Sequence, residues 1–267
     1  MSRVSWDPSQ YLIFADERLR PGFELLARIG DLPAGPLYEL GCGTGAHARA
    51  IAARWPDRKL TAIDQSAEML RQAASEPTPA AIEWVRAEIA GWSAPEPAAL
   101  IFSNATLHWV PDHTHLFPHL LRQMLPGGVL AVQMPRNFRE PSHRIVREVA
   151  ASEPFAAKLA PLRDPATGIL RPDPVAMPET YYDLITPLAR EGLDIWETEY
   201  LMTLEGEDPL VAWTKGSILR PILALLDEKE SDALVALLRR RWAEAYPRRP
   251  DGSTIFPFRR VFIVARV

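Results

Sequence analysis

Residues 37–47 constrain the fold of this chain more than any other segment. They read Leu-Tyr-Glu-Leu-Gly-Cys-Gly-Thr-Gly-Ala-His: an apolar strand pattern, three glycines at alternate positions, and the start of a helical pattern. Glycines at this spacing let the backbone turn tightly and leave no side chain between the turn and a ligand. We therefore expect a strand, a ligand-binding turn and a helix, which together open a doubly wound α/β sheet.

Strand-like and helical patterns alternate through the first half of the chain. The predicted strands are 37–40, 60–63, 82–86, 100–103 and 129–134, and the predicted helices are 47–55, 67–74 and 116–125. This alternation is typical of parallel strands joined by crossover helices.

The pattern changes after the proline-rich segment 153–178, for which we expect a loop with short helices. Further helices are predicted at 179–191, 209–217 and 231–246, with a strand at 194–204 between them. The last predicted strand, 260–266, is almost continuously apolar, which indicates a place inside the sheet, covered on both faces. Two helices are predicted near the N-terminus, at 9–16 and 21–29, the second starting at Pro21.

Composition excludes several classes of protein. Of the 267 residues, 47% are hydrophobic and 24% are charged, as in folded globular proteins. No run approaches the ~18 apolar residues of a membrane span, and the N-terminus lacks a secretory apolar core, so we expect a cytoplasmic protein without membrane partners. The single Cys42 predicts neither a disulfide nor a zinc site, and a net charge of −4 makes nucleic acid an improbable partner.

The acid that precedes the glycine turn indicates which class of ligand the turn binds. Gly41, Gly43 and Ala46 also satisfy the loose dinucleotide pattern, but Glu39 would repel a pyrophosphate and would favour a ligand carrying an ammonium group. S-adenosylmethionine has that ammonium group and no phosphate. Asp64, at the end of the second predicted strand, suits the ribose of either ligand, so NAD stays an alternative.

Polar residues also occur at the ends of the next strands, on the edge of the sheet where the glycine turn and Asp64 are expected. Glu88 could accept the adenine amine between the apolar walls of Ile89 and Met69, and Asn104 ends the fourth strand. Purely structural roles for these acids stay open. Asp64 could instead cap the following helix. Glu39 and Glu88 could likewise be ordinary strand-end acids.

Four motifs carry a resemblance to a known superfamily. They are Glu39-Leu-Gly-Cys-Gly-Thr-Gly, Ala62-Ile-Asp64, Arg86-Ala-Glu88-Ile and Ile101-Phe-Ser-Asn104-Ala-Thr-Leu-His-Trp109. In order and spacing they resemble the motifs of class I S-adenosylmethionine-dependent methyltransferases. Glu88 departs from the superfamily, where Asp is common, and this puts the geometry of the adenine contact in doubt.

The resemblance implies a fold and a cofactor. The fold is a Rossmann-like doubly wound seven-stranded sheet of order 3-2-1-4-5-7-6, with strand 7 antiparallel and helical lid insertions, in which 194–204 is strand six and 260–266 strand seven. The cofactor is S-adenosylmethionine. The residues implied to bind it are Glu39, Gly41, Cys42, Gly43, Asp64, Gln65, Met69, Ala87, Glu88, Ile89, Asn104, Leu107, Arg20 and Tyr11.

One domain is expected over 1–267. Within it, 1–29 is predicted to be an N-terminal helical cover and 30–135 the cofactor-binding core. Residues 136–250 are predicted to supply the substrate-side helices and strand six, and 251–267 to close the sheet.

Within that superfamily a narrower resemblance extends over nearly the whole chain and implies a substrate. It is carried by the segments Trp6–Tyr11, Leu116–Leu120, Gly128–Pro135, Asp194–Trp196, Leu219–Pro221 and Phe262–Arg266. It implies methyl transfer to a carboxylate of trans-aconitate, a small polycarboxylate, giving a monomethyl ester. An ionised carboxylate attacks without a general base, so no catalytic side chain is predicted. The candidate substrate-binding residues are Gln10, Trp109, Arg136, His143, Ser217 and Arg220. The alternative is a methyltransferase acting on another small acid, an acyl carrier thioester or a quinone precursor; no metal and no particular oligomeric state are predicted.

Overall fold

The computed structural model describes residues 15–164 and 168–267. The predicted helix 9–16 lies mostly outside them, as do Gln10 and Tyr11. The predicted start of the next helix at Pro21 is wrong, because helix α1 (Ala15–Ala27) contains Pro21 in its interior. Burial of Leu25 and Leu26 along this helix outweighs the one backbone hydrogen bond that the proline removes.

Strands and helices alternate along the chain as the sequence predicts. The strands are β1 (Leu37–Leu40), β2 (Leu60–Asp64), β3 (Ile82–Arg86), β4 (Ala98–Asn104), β5 (Met124–Pro135), β6 (Gly192–Leu204) and β7 (Thr254–Arg266). The helices after α1 are α2 (Ala46–Arg54), α3 (Ala67–Ser75), α4 (His113–Leu121), α5 (Pro141–Ala150), α6 (Pro178–Ile185), α7 (Pro209–Lys215), α8 (Leu219–Leu223) and α9 (Glu228–Ala245). Short 3₁₀ helices cover Leu107–Trp109 and Ala160–Arg163.

The strands form a seven-stranded sheet of order β3-β2-β1-β4-β5-β7-β6. Strands β1 to β5 are parallel. Strand β7 runs antiparallel to β5: the Gly127 N–H donates to the Val267 carbonyl at one end (2.6 Å) and the Arg136 N–H donates to the Arg259 carbonyl near the other (2.9 Å). The predicted order and the antiparallel last strand are confirmed.

Burial explains why these segments form central strands. All residues of β1 and β4 are buried, as expected for parallel strands covered on both faces. In β6 buried and exposed residues alternate over residues 200–204, as in an edge strand with one solvated face. Strand β7 begins at Thr254, six residues earlier than predicted. The prediction missed this first half because its residues, around Pro257, alternate in burial and lack the continuous apolar run that marks the end of the strand.

Several predicted boundaries are wrong. The predicted helix 116–125 ends at Leu121, and the chain is already extended at Met124, because Pro126 and two glycines follow. The predicted helix 179–191 stops at Ile185. Helices α5 and α8 were not expected, although α5 begins with Pro141 at its first position, a recognised helix-start signal.

The chain divides into two compact units. The core unit comprises residues 15–134, 176–198 and 261–267, and the insertion unit comprises residues 135–175 and 199–260 of the described chain. In the insertion unit α9 packs on α5, where Trp242 Nε1 donates to the Ser142 carbonyl (3.3 Å) and the Ser142 N–H donates to the Tyr246 hydroxyl (3.0 Å). Within the two described ranges, no helix combines the length and apolar character needed to cross a membrane.

Candidate functional site

The glycine turn after β1 has the backbone conformation that the sequence predicts. Gly41, Gly43 and Gly45 have φ angles of 79°, 53° and 79°, in the left-handed region. A Cβ at Gly41 would lie 2.1 Å from Thr106 Oγ1, and one at Gly45 would lie 2.5 Å from the Trp84 ring. A Cβ at Gly43 would meet nothing within 4 Å. Packing therefore requires two of the glycines, while the third leaves the backbone open to a ligand.

Asp64 connects the end of β2 to this turn. Its Oδ2 accepts the Gly43 N–H (2.9 Å), and its Oδ1 accepts the Ser66 N–H (2.8 Å). Burial raises the pKa of the Asp64 carboxyl, and these backbone hydrogen bonds oppose the rise. The cap of α3 is Ser66, whose Oγ accepts the Met69 N–H at 3.3 Å, so Asp64 is not that cap. Each carboxylate oxygen retains capacity for a further hydrogen bond.

Glu39 is a buried acid and not an exposed strand end. Its side chain is 1% exposed, its Oε1 lies 3.9 Å from His47 Nδ1, and its Oε2 has no hydrogen-bond partner among the described residues. Burial, and then the Asp64 carboxylate, raise the pKa of Glu39 to about 8, against the Arg49 guanidinium and the Ala48 N–H. Burial lowers the pKa of His47, whose Nε2 donates to the Leu19 carbonyl (3.0 Å).

These features fit a ligand that carries positive charge and no phosphate. The His47 ring is neutral, so it leaves Glu39 without an ionised histidine beside it. A buried carboxyl with a pKa raised to about 8 loses its proton more readily when a cation binds beside it, so the site favours an ammonium group and disfavours a pyrophosphate.

Most other predicted cofactor residues lie on the segments around Asp64 and β4. The Ala87 N–H donates to the Asp64 carbonyl (3.2 Å), and Arg86 Nε donates to the Gln65 carbonyl (3.1 Å). Ile89 is half-buried and Glu88 exposed. Besides Glu39, the buried members of the predicted set are Cys42, Met69, Asn104 and Leu107. Asn104 Oδ1 has no partner in the described part of the chain.

Arg20, another residue predicted to bind the cofactor, has a solvent-exposed side chain. Its side chain is exposed on α1 and forms an ion pair with Glu24 one turn on (2.7 Å). An arginine that spans a helical turn on a solvated face stabilises the helix slightly.

The candidate substrate residues divide between the units. Trp109 lies in the core unit, half-buried, with its ring 4.5 Å from that of His108. In the insertion unit the Arg136 N–H donates to the Arg259 carbonyl, and Ser217 Oγ donates to the Thr214 carbonyl (3.4 Å).

His143 is uncharged at neutral pH, and Arg220 lies within a helix. Burial, and then the Arg147 guanidinium, lower the pKa of His143 to about 3, so its ring is neutral at pH 7. Arg220 was expected in a break between helices, but it lies inside α8, because the turn at 216–218 ends before it. It is half-buried, and no carboxylate within 15–164 or 168–267 pairs with it.

The histidines at 113 and 119 contact nearby carbonyl and hydroxyl groups of the chain. His113 Nε2 lies 3.0 Å from the Leu107 carbonyl and its Nδ1 lies 2.6 Å from the Tyr181 hydroxyl. His119 Nε2 lies 2.9 Å from the Trp92 carbonyl.

Two residues that support the turn were missed from the sequence. Arg49 donates to the Thr44 carbonyl (2.8 Å) and to the Ala73 carbonyl (3.3 Å). Thr106 Oγ1 lies 3.3 Å from the Gly41 carbonyl and 3.0 Å from the Asn104 carbonyl. The position of Thr106 just after a strand-end Asn was a usable signal, whereas nothing in the sequence marks Arg49.

Known proteins with a similar sequence or structure include methyltransferases with this fold. The family model described as a methyltransferase domain matches residues 37–128, which span the glycine turn and Asp64. A phosphoethanolamine N-methyltransferase of Haemonchus contortus, solved with S-adenosylhomocysteine, is similar in fold: the TM-score is 0.51 at 16% identity, covering 96% of this chain and 57% of that one. The fold and the matched domain are those of a methyltransferase that uses S-adenosylmethionine.

Curated relatives define the family more narrowly. A trans-aconitate 2-methyltransferase of Azoarcus sp. (strain BH72) is 44% identical over 98% of both chains. The enzyme of the same name from Streptomyces avermitilis is 45% identical over 98% of this chain and 96% of its own. The chain belongs to the trans-aconitate 2-methyltransferase family.

Proposed function

We propose that this chain transfers the methyl group of S-adenosylmethionine to a carboxylate of trans-aconitate, forming a monomethyl ester and S-adenosylhomocysteine. One observation carries the proposal: relatives named for methylating trans-aconitate match the chain from end to end at 44–45% identity. A match of that extent includes the insertion unit as well as the glycine turn.

The core unit supplies the cofactor site in this proposal, within residues 30–135. Asp64 accepts the ribose hydroxyls, Glu39 attracts the ammonium group, and the open face at Gly43 lets the backbone approach the ligand. Met69 and Ile89 are apolar walls for the adenine. When bound, the cofactor supplies a methyl group on a positively charged sulfur.

The acid substrate has to be positioned, but it does not have to be activated by a side chain. A carboxylate with a pKa near 4 is already ionised at pH 7, so no side chain has to remove a proton. Holding the reacting atoms in line supplies up to about 7–11 kcal/mol. The chain therefore acts by binding, orienting and excluding water.

Residues 136–250 supply the cationic part of the substrate site in this proposal. Arg136 and Arg220 bind carboxylates, since a planar guanidinium forms two parallel hydrogen bonds with a carboxylate. Neutral His143 and the Ser217 hydroxyl contribute hydrogen bonds without charge, and Trp109 is an apolar wall. The absence of a described acidic partner leaves Arg220 available to an anion.

A product assay tests the function directly. Purified protein is incubated with methyl-labelled cofactor and a panel of di- and tricarboxylic acids, a quinone precursor and an acyl carrier thioester. We expect label in a monomethyl ester of trans-aconitate. Label in another acceptor, with trans-aconitate unmodified, would contradict the proposed substrate.

Asp64→Ala tests the ribose contact. We expect S-adenosylhomocysteine to bind about 1–3 kcal/mol more weakly in calorimetry, because charge-assisted hydrogen bonds are lost. Asp57→Ala, a change at an exposed acid, is the matched control and should bind as wild type does. Equal affinity in both variants would remove Asp64 from the cofactor site.

Arg220→Ala tests the substrate contact. We expect the KM for trans-aconitate to rise roughly ten- to a hundredfold, since a hydrogen bond to a charged group is worth about 1.5–3 kcal/mol. The affinity for S-adenosylhomocysteine should not change. Arg240→Ala, at an exposed arginine of α9, is the control, and an unaltered KM in Arg220→Ala would place the carboxylate site elsewhere.

A further inference from the structure

Ser142 is buried at the start of α5, beside the ring of His143. It is 1% exposed, and its Oγ lies 3.1 Å from His143 Nδ1. Among the described residues, no other group forms a hydrogen bond with Ser142 Oγ. The two neighbouring side chains therefore form a hydrogen-bonded pair within the insertion unit. Which of them donates depends on which ring nitrogen of His143 carries the proton.

Helix α9 fixes the position of Ser142. The Ser142 N–H donates to the Tyr246 hydroxyl (3.0 Å), and the Ser142 carbonyl accepts from Trp242 Nε1 (3.3 Å). Trp242 is 2% exposed, so this contact lies in the packed interior of the unit. Because packing and backbone hydrogen bonds hold Ser142 in one place, its hydroxyl meets the His143 ring from a fixed direction.

The need to satisfy buried groups decides the direction of the bond. Burial and the Arg147 guanidinium hold the pKa of the His143 ring at about 3, so the ring is neutral at pH 7 and has one donor nitrogen and one acceptor nitrogen. If Nδ1 carried the proton, the Ser142 hydroxyl would accept it, and the hydroxyl hydrogen would lack an acceptor in a buried place, which is unfavourable. If Nδ1 accepts, the hydroxyl donates and both groups are satisfied. Ser142 therefore favours the tautomer with the proton on Nε2.

The opposite nitrogen of the ring has no partner within the chain. His143 is half-buried, and no group within 15–164 or 168–267 forms a hydrogen bond with its Nε2. The Phe138 ring packs edge-on against the His143 ring, with 5.0 Å between the ring centres, which fixes the ring plane. A partly exposed N–H of fixed direction suits an oxygen acceptor, and a carboxylate is the strongest one in the proposed substrate.

We infer that Ser142 is a positioning residue that holds His143 in the Nε2–H tautomer, so that the ring donates this N–H to a carboxylate of the polyacid substrate. The inference rests on the proposed function, in which His143 belongs to the substrate site, and adds to it the residue that sets the state of the ring. Ser142 acts through His143 and does not touch the substrate. Its loss should weaken the binding of the acid and leave the binding of the cofactor unchanged.

Nuclear magnetic resonance measures the tautomer directly. Two-bond ¹H–¹⁵N correlation on the labelled, ligand-free chain at pH 7 separates a protonated ring nitrogen from a lone-pair nitrogen, and His143→Gln assigns the signals of this ring. We expect the proton on Nε2 in the wild type, and a larger share of the Nδ1–H form in Ser142→Ala. A wild-type ring with its proton on Nδ1 overturns the inference, whether or not the chain methylates trans-aconitate.

Kinetics measure the consequence for the substrate. In Ser142→Ala we expect the KM for trans-aconitate to rise about two- to tenfold, the range that one hydrogen bond gives, with a smaller change in kcat and an unchanged Kd for S-adenosylhomocysteine. Ser142→Thr keeps the hydroxyl and should restore both the tautomer and the KM. Ser152→Ala is the matched control, because it removes a half-buried hydroxyl that donates to the Val149 carbonyl (2.8 Å) after the same helix, and it should change neither.

The outcomes separate the inference from the proposed function. A rise in the KM of Ser142→Ala without a change of tautomer would be an effect of packing and would overturn the inference alone, as would a wild-type KM in the folded variant. Failure of the wild type to methylate any polyacid overturns the proposed function and the substrate contact of His143, while the tautomer measurement still decides the role of Ser142.

Discussion

Gly41→Ala should lower the melting temperature by roughly 5–15 °C and abolish measurable cofactor binding. The residue has a φ of 79°, which costs an alanine about 1–2 kcal/mol. The new methyl group would also meet the whole Thr106 side chain, 2.1–2.5 Å away, and force it from its contacts with the Gly41 and Asn104 carbonyls. Overpacking of this kind adds about 1–3 kcal/mol, and in a chain of this size each kcal/mol is worth about 2–4 °C.

Gly43→Ala should separate folding from ligand binding in the same turn. Its φ of 53° carries the same conformational cost, but its Cβ would meet nothing within 4 Å. We expect the melting temperature to fall by only a few degrees while the affinity for S-adenosylhomocysteine falls more than tenfold, because the methyl group occupies the open face of the turn. Thermal denaturation and calorimetry on the two variants measure both effects.

Gly91→Ala is the control for this pair. Gly91 has no positive φ, and a Cβ there would also enter open space, so neither stability nor affinity should change much. Wild-type affinity in Gly43→Ala would show that the ligand does not approach the turn from that side.

Glu39→Gln should stabilise the ligand-free protein increasingly as the pH rises. In the folded chain burial and Asp64 raise the pKa of Glu39 to about 8, from an ordinary value of 4.5. Between these values the folded state holds a proton that the unfolded state has released, so wild-type stability falls as the pH increases. Glutamine carries no such proton. The advantage of the variant should grow from about pH 4.5 to pH 8, become constant above that, and reach several kcal/mol at most.

The same substitution should weaken cofactor binding. At pH 8.5 the wild-type carboxylate is largely ionised and attracts an ammonium group, whereas the amide does not. We expect S-adenosylhomocysteine to bind at least tenfold more weakly to Glu39→Gln, with the KM for trans-aconitate little changed. Denaturant unfolding from pH 5 to 9 and calorimetry at pH 8.5 provide the measurements. Parallel stability curves for the two proteins would contradict the raised pKa.

Sequence patterns predicted the sheet well where burial is simple. Strands β1 and β3 have the predicted boundaries, because each combines a short β-type run with a clear turn signal. The patterns were less reliable where two signals compete. Met124 and Leu125 continue an apolar helical pattern, but Pro126 and two glycines follow, and the chain is extended there.

The sequence by itself determined the order of the strands, the glycine turn and the acids near the ends of β1 and β2. These depend on local steric rules and on periodicity, which a few neighbouring residues express. Only the tertiary structure decided that Glu39 is buried with a raised pKa, that His143 is neutral and that Arg20 lies on a solvated face. Burial and charge balance are sums over residues distant in the chain, so no local pattern contains them.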